Sequence, residues 1–174
     1  MKKVFIKDEF CMGCHLCEVY CQLRVSGTKD LLKAFKGKNG VRPIARLNIA
    51  SEGNVDISIR CQHCTDAPCV EACLTGALSR DPVTGMVSLD EDRCMGCWTC
   101  VLTCRWGAVS QDKDKKRTVR CDLCHGEETP VCVAICPNEA LVYVEVDDAE
   151  TAVNREPAAA GAPNLLSKQG DSHE

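Results

Sequence analysis

Apolar and polar positions alternate along this chain only in short stretches, and each stretch stops at a turn signal. Ala77 to Arg80 and Met86 to Leu89 read as two strands around the turn Asp81-Pro82-Val83-Thr84-Gly85. Val109 to Gln111 and Arg117 to Arg120 flank the polar run Asp112 to Lys116 in the same way. Leu141 to Val146 reads as a final strand. Upstream, Arg46 to Ile49 and Val55 to Ile59 predict a hairpin turned at Glu52-Gly53-Asn54. Asp30 to Phe35 predicts a short helix with Leu31, Leu32 and Phe35 on one face. No apolar run approaches the ~18 residues of a membrane span. Met1 to Phe10 is charged and lacks the apolar stretch of a signal peptide. The pattern is that of an α+β chain of small hairpins and turns, with a cytoplasmic location as the simplest expectation.

Cysteine changes this picture. The chain has 16 cysteines in 174 residues, in four groups of four. They are Cys11, Cys14, Cys17, Cys21; Cys61, Cys64, Cys69, Cys73; Cys94, Cys97, Cys100, Cys104; and Cys121, Cys124, Cys132, Cys136. Each group opens C-x2-C and closes C-x3-C, and only the inner gap varies. Single helical turns are expected between the third and fourth cysteines. The last three groups form an internal repeat: Cys73-Leu-Thr-Gly-Ala-Leu78, Cys104-Arg-Trp-Gly-Ala-Val109 and Cys136-Pro-Asn-Glu-Ala-Leu141. After Cys21 the chain departs from the repeat with an insertion over 22–60. The segment 147–174 carries no cysteine and is rich in Ala, Pro and polar residues. It reads as disordered or as an extended tail held by a neighbour.

Composition points the same way. Aromatic residues make up 4% of the chain, too few for a large conventional core. A small chain of that kind needs metal or cross-links to fold. Thiols stay reduced in the cytosol, which argues against eight disulfides. Zinc also takes four thiolates, but its structural sites usually pair two separated knuckles. Groups one and three instead read C-x2-C-x2-C-x3-C, the run of bacterial ferredoxins. Sixteen thiolates suffice for four [4Fe-4S] clusters. Each filled site adds about −2, taking the formal charge from −4 to about −12. Nucleic-acid binding does not fit so acidic a chain. In two-cluster ferredoxins the fourth cysteine of each run ligates the other cluster. With four groups, sequential and nested pairings are both open on spacing alone.

The motifs Cys61-Gln-His-Cys-Thr-Asp-Ala-Pro-Cys69 and Arg120-Cys-Asp-Leu-Cys124, set in the four-group pattern, resemble the four-cluster electron-transfer subunits of the DMSO reductase iron–sulfur family. Within it the chain is most similar to small proteins associated with carbon monoxide dehydrogenase, hydrogenase and tungsten aldehyde oxidoreductase. The resemblance covers residues 1–146 and implies two ferredoxin-like dicluster modules, with the inner one spanning 61–109. It implies nested ligation: Cys11, Cys14, Cys17 with Cys136; Cys121, Cys124, Cys132 with Cys21; Cys61, Cys64, Cys69 with Cys104; and Cys94, Cys97, Cys100 with Cys73. Family members usually place proline after the fourth cysteine. Here only Cys136-Pro137 keeps it, which puts local loop geometry in question.

The implied function is relay of single electrons from a catalytic oxidoreductase subunit to a second partner. The catalytic subunit would be a tungsten or molybdenum aldehyde or formate oxidoreductase, carbon monoxide dehydrogenase or hydrogenase; the second partner would be an NAD-linked flavoprotein or a hydrogenase. No nucleophile–base pair suggests catalysis by the chain itself. Two rival readings are a structural zinc scaffold and a polymerising electron-conducting filament.

Residues beside the cysteines carry further expectations. Arg60, Arg93, Arg120 and Arg105 either offset cluster charge or form ordinary strand-end ion pairs. His15, His63 and His125 suit hydrogen bonding better than iron ligation, since no cysteine is missing. Trp98 and Trp106 suit shielding from water. Lys29, Lys33, Lys36, Lys38 and Arg42, and the run Lys113 to Arg117, are either solvated loops or a docking surface for an acidic partner.

Overall fold

The computed structural model describes residues 2–36, 42–53 and 55–145. Its strands form four two-stranded sheets. Three are the expected hairpins: β2 (Leu47–Glu52) with β3 (Val55–Arg60), β4 (Leu78–Arg80) with β5 (Val87–Leu89), and β6 (Ser110–Asp112) with β7 (Arg117–Val119). The β4–β5 turn closes on Asp81, whose Oδ1 accepts from the backbone N–H of Val83 at 2.7 Å and of Thr84 at 3.2 Å.

The fourth sheet was not legible in sequence. Lys2–Ile6 forms β1 and pairs antiparallel with β8 (Leu141–Glu145), with Lys2 opposite Glu145 and Ile6 opposite Leu141. The charged start of the chain becomes a strand because β8 supplies its hydrogen-bond partners from the far end. Val4, buried at its centre, anchors it to the core.

Three of the four helices that carry a third cysteine are as short as expected: α3 (Pro68–Glu71), α4 (Thr99–Thr103) and α5 (Val131–Ala134). The helix of group one is longer. α1 runs Leu16–Ser26, carries both Cys17 and Cys21, and reaches into the 22–60 insertion. The reason is local. Gly76, Gly107 and Pro137 stand within three residues of the fourth cysteine in the other groups, whereas no Gly or Pro follows Cys21 before Gly27. Gly27 at φ +70° then ends α1, its N–H bonded to Arg24 O at 3.2 Å.

α2 (Leu31–Lys36) starts one residue later than predicted, with the Asp30 carboxylate accepting from Lys33 N–H at 3.2 Å. Its buried residue is Ala34, while Leu31 and Leu32 are exposed, so the anticipated Leu31–Leu32–Phe35 face is not the packed one. α1 packs against α5, and α3 against α4. The larger core joins Val4, Ala45, Leu47, Leu123 and Leu141 to Cys17, Cys21, Cys121 and Cys132; the smaller joins Leu78 and Val109 to Cys100. Among the described residues no helix is long and apolar enough to cross a membrane. Lys38, Asn54, Val146 and the 147–174 tail lie outside the described residues.

Candidate metal centre

All sixteen cysteines are free thiols. Their loops turn through residues with positive φ, including His15, His63, Trp98, Leu123 and Cys124. Such turns point successive N–H groups to one side and make a concavity for negative charge. His63 N–H approaches Cys61 Sγ at 3.5 Å, Leu123 N–H approaches Cys121 Sγ at 3.4 Å, Ala108 N–H approaches Cys104 Sγ at 3.4 Å and Arg46 N–H approaches Cys21 Sγ at 3.2 Å.

Gly96, in the Cys94-Met-Gly-Cys97 loop, has φ +70°, and a Cβ there would stand 2.4 Å from the carbonyl oxygen of Lys116. Gly96→Ala therefore combines backbone strain with a contact to backbone that cannot swing away. The expected cost is ~2 kcal/mol, within the range for strained positions. Thermal melts of the metal-loaded protein check it, and an unchanged melting temperature contradicts it.

Two chambers collect cysteines from different groups. Cys11, Cys14, Cys17 and Cys136 line one, and Cys61, Cys64, Cys69 and Cys104 line the other. Each takes three cysteines from one group and the fourth from another. The remaining eight are also neighbours across groups. Cys132 feels the charges of Cys124 and Cys21, and Cys97 that of Cys73. Among the described residues no three His, Cys, Asp or Glu side chains converge closely enough for a single metal ion. A tetrahedral zinc, with Zn–S of about 2.3 Å, would draw its sulfurs to about 3.8 Å of one another.

Burial sets the thiol chemistry. It pushes Cys17 up to about 12 and Cys132 up to about 11, with the neighbouring thiol charge of Cys132 adding to the first and the Arg60 charge opposing the second. Cys121 is raised as well, chiefly by burial. Such groups become thiolates only when bound cations supply positive charge, which is what iron would do here. Cys97 goes the other way, lowered by hydrogen bonds from Thr99, whose hydroxyl lies 3.4 Å from the sulfur. Of the sixteen, only Cys14 and Cys97 are exposed.

The four arginines separate. Arg60 is 1% exposed; its Nη2 donates to Val4 O and its Nη1 to Ser58 O at 3.4 Å. Its charge acts on Cys132, Cys121, Cys17 and Cys61. Arg120 is also buried and donates Nη2–H to Cys61 Sγ at 2.7 Å. These two offset thiolate charge. Arg105 is paired with Asp66, as an ordinary ion pair would be. Arg93 donates to Thr75 O at 2.6 Å and straps the loop after Cys73.

His15 is bonded to Glu18 at 2.8 Å on the surface. His63 is buried, and its Nδ1 accepts from Val87 N–H at 3.0 Å. Burial first, and then the charges of Arg120 and Lys3, push it down to about 3, so the ring is neutral with its proton on Nε2. Trp106 does more than shield: its indole N–H points at Cys64 Sγ, 3.3 Å away.

Two features escaped sequence reasoning. Lys3, on β1, acts on Cys64 and Cys61, and no signal marks it because β1 itself was unread. Asp122 sits inside the noticed Arg-Cys-Asp-Leu-Cys motif, yet its partners are distant: Arg46 pairs with it and Arg24 lies at 3.3 Å. Burial opposes its ionisation, but the hydrogen bond and charge of Arg46, joined by Arg24, outweigh this and hold the carboxyl below its ordinary range. The two basic stretches meet at one cleft of about 1030 Å³, where Lys33, Lys36 and Arg42 face Lys115 and Arg117.

The family described as "4Fe-4S dicluster domain" matches residues 55–146. The electron transport protein HydN of Escherichia coli (strain K12) is 33% identical over 162 residues, covering 83% of this chain and 89% of HydN. An iron-sulfur protein of Rhodospirillum rubrum is 32% identical over 160 residues, covering 83% and 82%. The thiosulfate reductase electron transfer subunit PhsB of Salmonella typhi is 31% identical over 154 residues, covering 84% and 78%. With paired cysteine groups, buried thiols and these relatives together, the chain belongs to the 4Fe-4S dicluster family of ferredoxin-like electron transport proteins.

Proposed function

We propose that this chain is the electron-transfer subunit of an oxidoreductase complex, with sixteen cysteines holding four [4Fe-4S] clusters in the nested pairing. The observation that carries the proposal is the lining of the two chambers, each by three cysteines of one group and the fourth of another. The donor set fits the cofactor: each chamber offers thiols to four corners, and backbone N–H groups turn toward the sulfurs. When bound, each cubane accepts and returns one electron.

The chain's own residues would do the rest. Cys17 stands near Cys132, Cys121 near Cys61, and Cys69 and Cys104 pack with Cys100, so under the nested pairing the four sites would follow one another from that of group one to that of group three. Cys14 and Cys97, the exposed thiols, belong to opposite ends of this series. Electrons would enter at one end and leave at the other. Phe10 and Met12 beside Cys14, and Met95 and Leu102 beside Cys97, are exposed apolar side chains suited to contact with partners. The basic cleft adds a surface for an acidic partner.

PhsB is named an electron transfer subunit of thiosulfate reductase, which supports a catalytic subunit as one partner. A tungsten or molybdenum aldehyde or formate oxidoreductase, carbon monoxide dehydrogenase or hydrogenase are the catalytic classes proposed, with a flavoprotein or hydrogenase as the second partner. The C-x2-C-x2-C-x3-C runs and the match to a 4Fe-4S dicluster domain favour cubanes over a zinc scaffold. The filament reading depends on the tail, which lies outside the described residues.

Anaerobic reconstitution with iron and sulfide analysis tests the proposal. About sixteen iron atoms per chain and no zinc are expected from four cubanes. The double variant Cys14→Ala/Cys136→Ala strikes one site under nested pairing and leaves about twelve iron atoms. Uncrossed ligation would put those two cysteines on different clusters and leave about eight, which would refute the pairing.

A further inference from the structure

Arg120 is the polar side chain the relay reading leaves least explained. It is 6% exposed and lines the chamber of Cys61, Cys64, Cys69 and Cys104. Its Nη2 donates to Cys61 Sγ, but its Nε and Nη1 are buried without a hydrogen-bond partner. Orphaned guanidinium donors are costly, and a native structure keeps them only when something answers them. The guanidinium is planar and rigid, so a fork with Nη2 on Cys61 holds its other nitrogens at the same chamber wall.

Arg60, the other buried arginine, acts on Cys132, Cys121, Cys17 and Cys61 alike, but its Nη1 and Nη2 donate to the carbonyls of Ser58 and Val4 and not to sulfur. In the chamber of Cys11, Cys14, Cys17 and Cys136, the Asp56 and Glu18 carboxylates act on Cys11 and Cys17 and oppose an added electron. Around Cys73 and Cys97 the side-chain donors are the neutral hydroxyls of Thr75 and Thr99. Around Cys21 and Cys124 the cations Arg46 and Arg24 are answered by Asp122 and Glu127. By contrast, Cys61 and Cys64 have Arg120, Lys3 and the Trp106 N–H, against Asp66, which is already paired with Arg105. Hydrogen bonds to sulfur and positive charge both favour the reduced form.

We propose that Arg120 donates hydrogen bonds from its remaining nitrogens to the cluster held by Cys61, Cys64, Cys69 and Cys104, and makes that cluster the first of the four to be reduced. This rests on the relay reading above. An electron arriving from either end then settles inside the chain. The subunit would hold it there between two partners that do not act at the same moment.

The test is an anaerobic potentiometric titration of the full metal-loaded chain, followed by electron paramagnetic resonance. Cys64→Ser and Cys97→Ser assign the components. The first component to be reduced should be the one that Cys64→Ser alters. Arg120→Gln should make its reduction about tenfold harder, a fall of ~59 mV for a one-electron couple, and leave the other three in place. Arg120→Lys keeps the charge with fewer donors, and should move the same component by less. That variant carries the test should Arg120→Gln lose iron. The inference is overturned if the first component is the one altered by Cys97→Ser. It is also overturned if all four components move together or if none moves. A wild-type chain with fewer than sixteen iron atoms would strike the relay reading instead.

Discussion

Stripping iron and sulfide from this protein is expected to unfold it. The larger core has nine buried members, four of them cysteines, and the smaller has three, one a cysteine. Neither contains a buried aromatic side chain, in a chain with 4% aromatic residues. Two-stranded sheets are marginal on their own in water. Helices of four or five residues, such as α3, α4 and α5, fall far below the length at which helices persist alone. With metal absent, Cys17, Cys21, Cys121 and Cys132 are small side chains, and the core behind the α1–α5 pair and the β1–β8 ribbon is left with Val4, Ala45, Leu47, Leu123 and Leu141. Metal binding and folding are then one event. Circular dichroism of the anaerobically chelated chain should show loss of structure with no cooperative melt, against a sharp transition for the loaded form. A native-like cooperative melt after chelation would contradict the expectation.

Replacing Arg60 with leucine is expected to destabilise the loaded protein by ~3–5 kcal/mol, the scale for removing one partner of a buried charge set. Burial first pulls the Arg60 pKa down, while the thiol charges of Cys132, Cys121, Cys17 and Cys61 pull it back, and a guanidinium remains charged in any case. Those thiols belong to three of the four cysteine groups. Leucine fills part of the volume but leaves the thiolates uncompensated and the carbonyl of Val4 without its donor. Lysine keeps the charge on a flexible stem and forfeits the planar fork, so Arg60→Lys should cost less, ~1–2 kcal/mol. Thermal melts and iron retention of the three proteins measure this. Equal stability of wild type and Arg60→Leu would show that the compensating charge lies elsewhere.

Much of the metal centre was legible because ligand spacing is a local property. The C-x2-C loops, the single turns carrying Cys69, Cys100 and Cys132, and the three hairpins depend on residues within about ten positions of one another, where turn chemistry and short-range alternation carry the signal. Group one was misjudged for an equally local reason. The lack of an early Gly or Pro after Cys21 lets α1 run to Ser26, although a single turn is expected between Cys17 and Cys21. The α2 face was misassigned because Leu31 and Leu32 are more apolar than Ala34, yet it is the small Ala34 that the packing buries. Propensity does not report which side of a short helix its neighbours cover.

Arg60, Arg93, Arg105 and Arg120 show the same boundary most clearly. In sequence all four are arginines next to a cysteine and carry the same two readings. In the structure Arg60 and Arg120 are buried against thiols, Arg105 faces Asp66 and Arg93 holds a backbone carbonyl. What separates them is the burial of each site, which depends on residues far away in the chain.

By itself the sequence determined the number of thiols, their grouping and spacing, and the weakness of the apolar core from which dependence on metal is expected, because each follows from composition or near spacing. The tertiary structure decided that the helix of group one packs on that of group four and the helix of group two on that of group three, that the first strand closes on the last, and which cations lie among the sulfurs. Those outcomes rest on contacts between residues up to more than a hundred positions apart. Such contacts follow from the joint packing of α1 on α5, α3 on α4 and β1 on β8, and no local pattern encodes them.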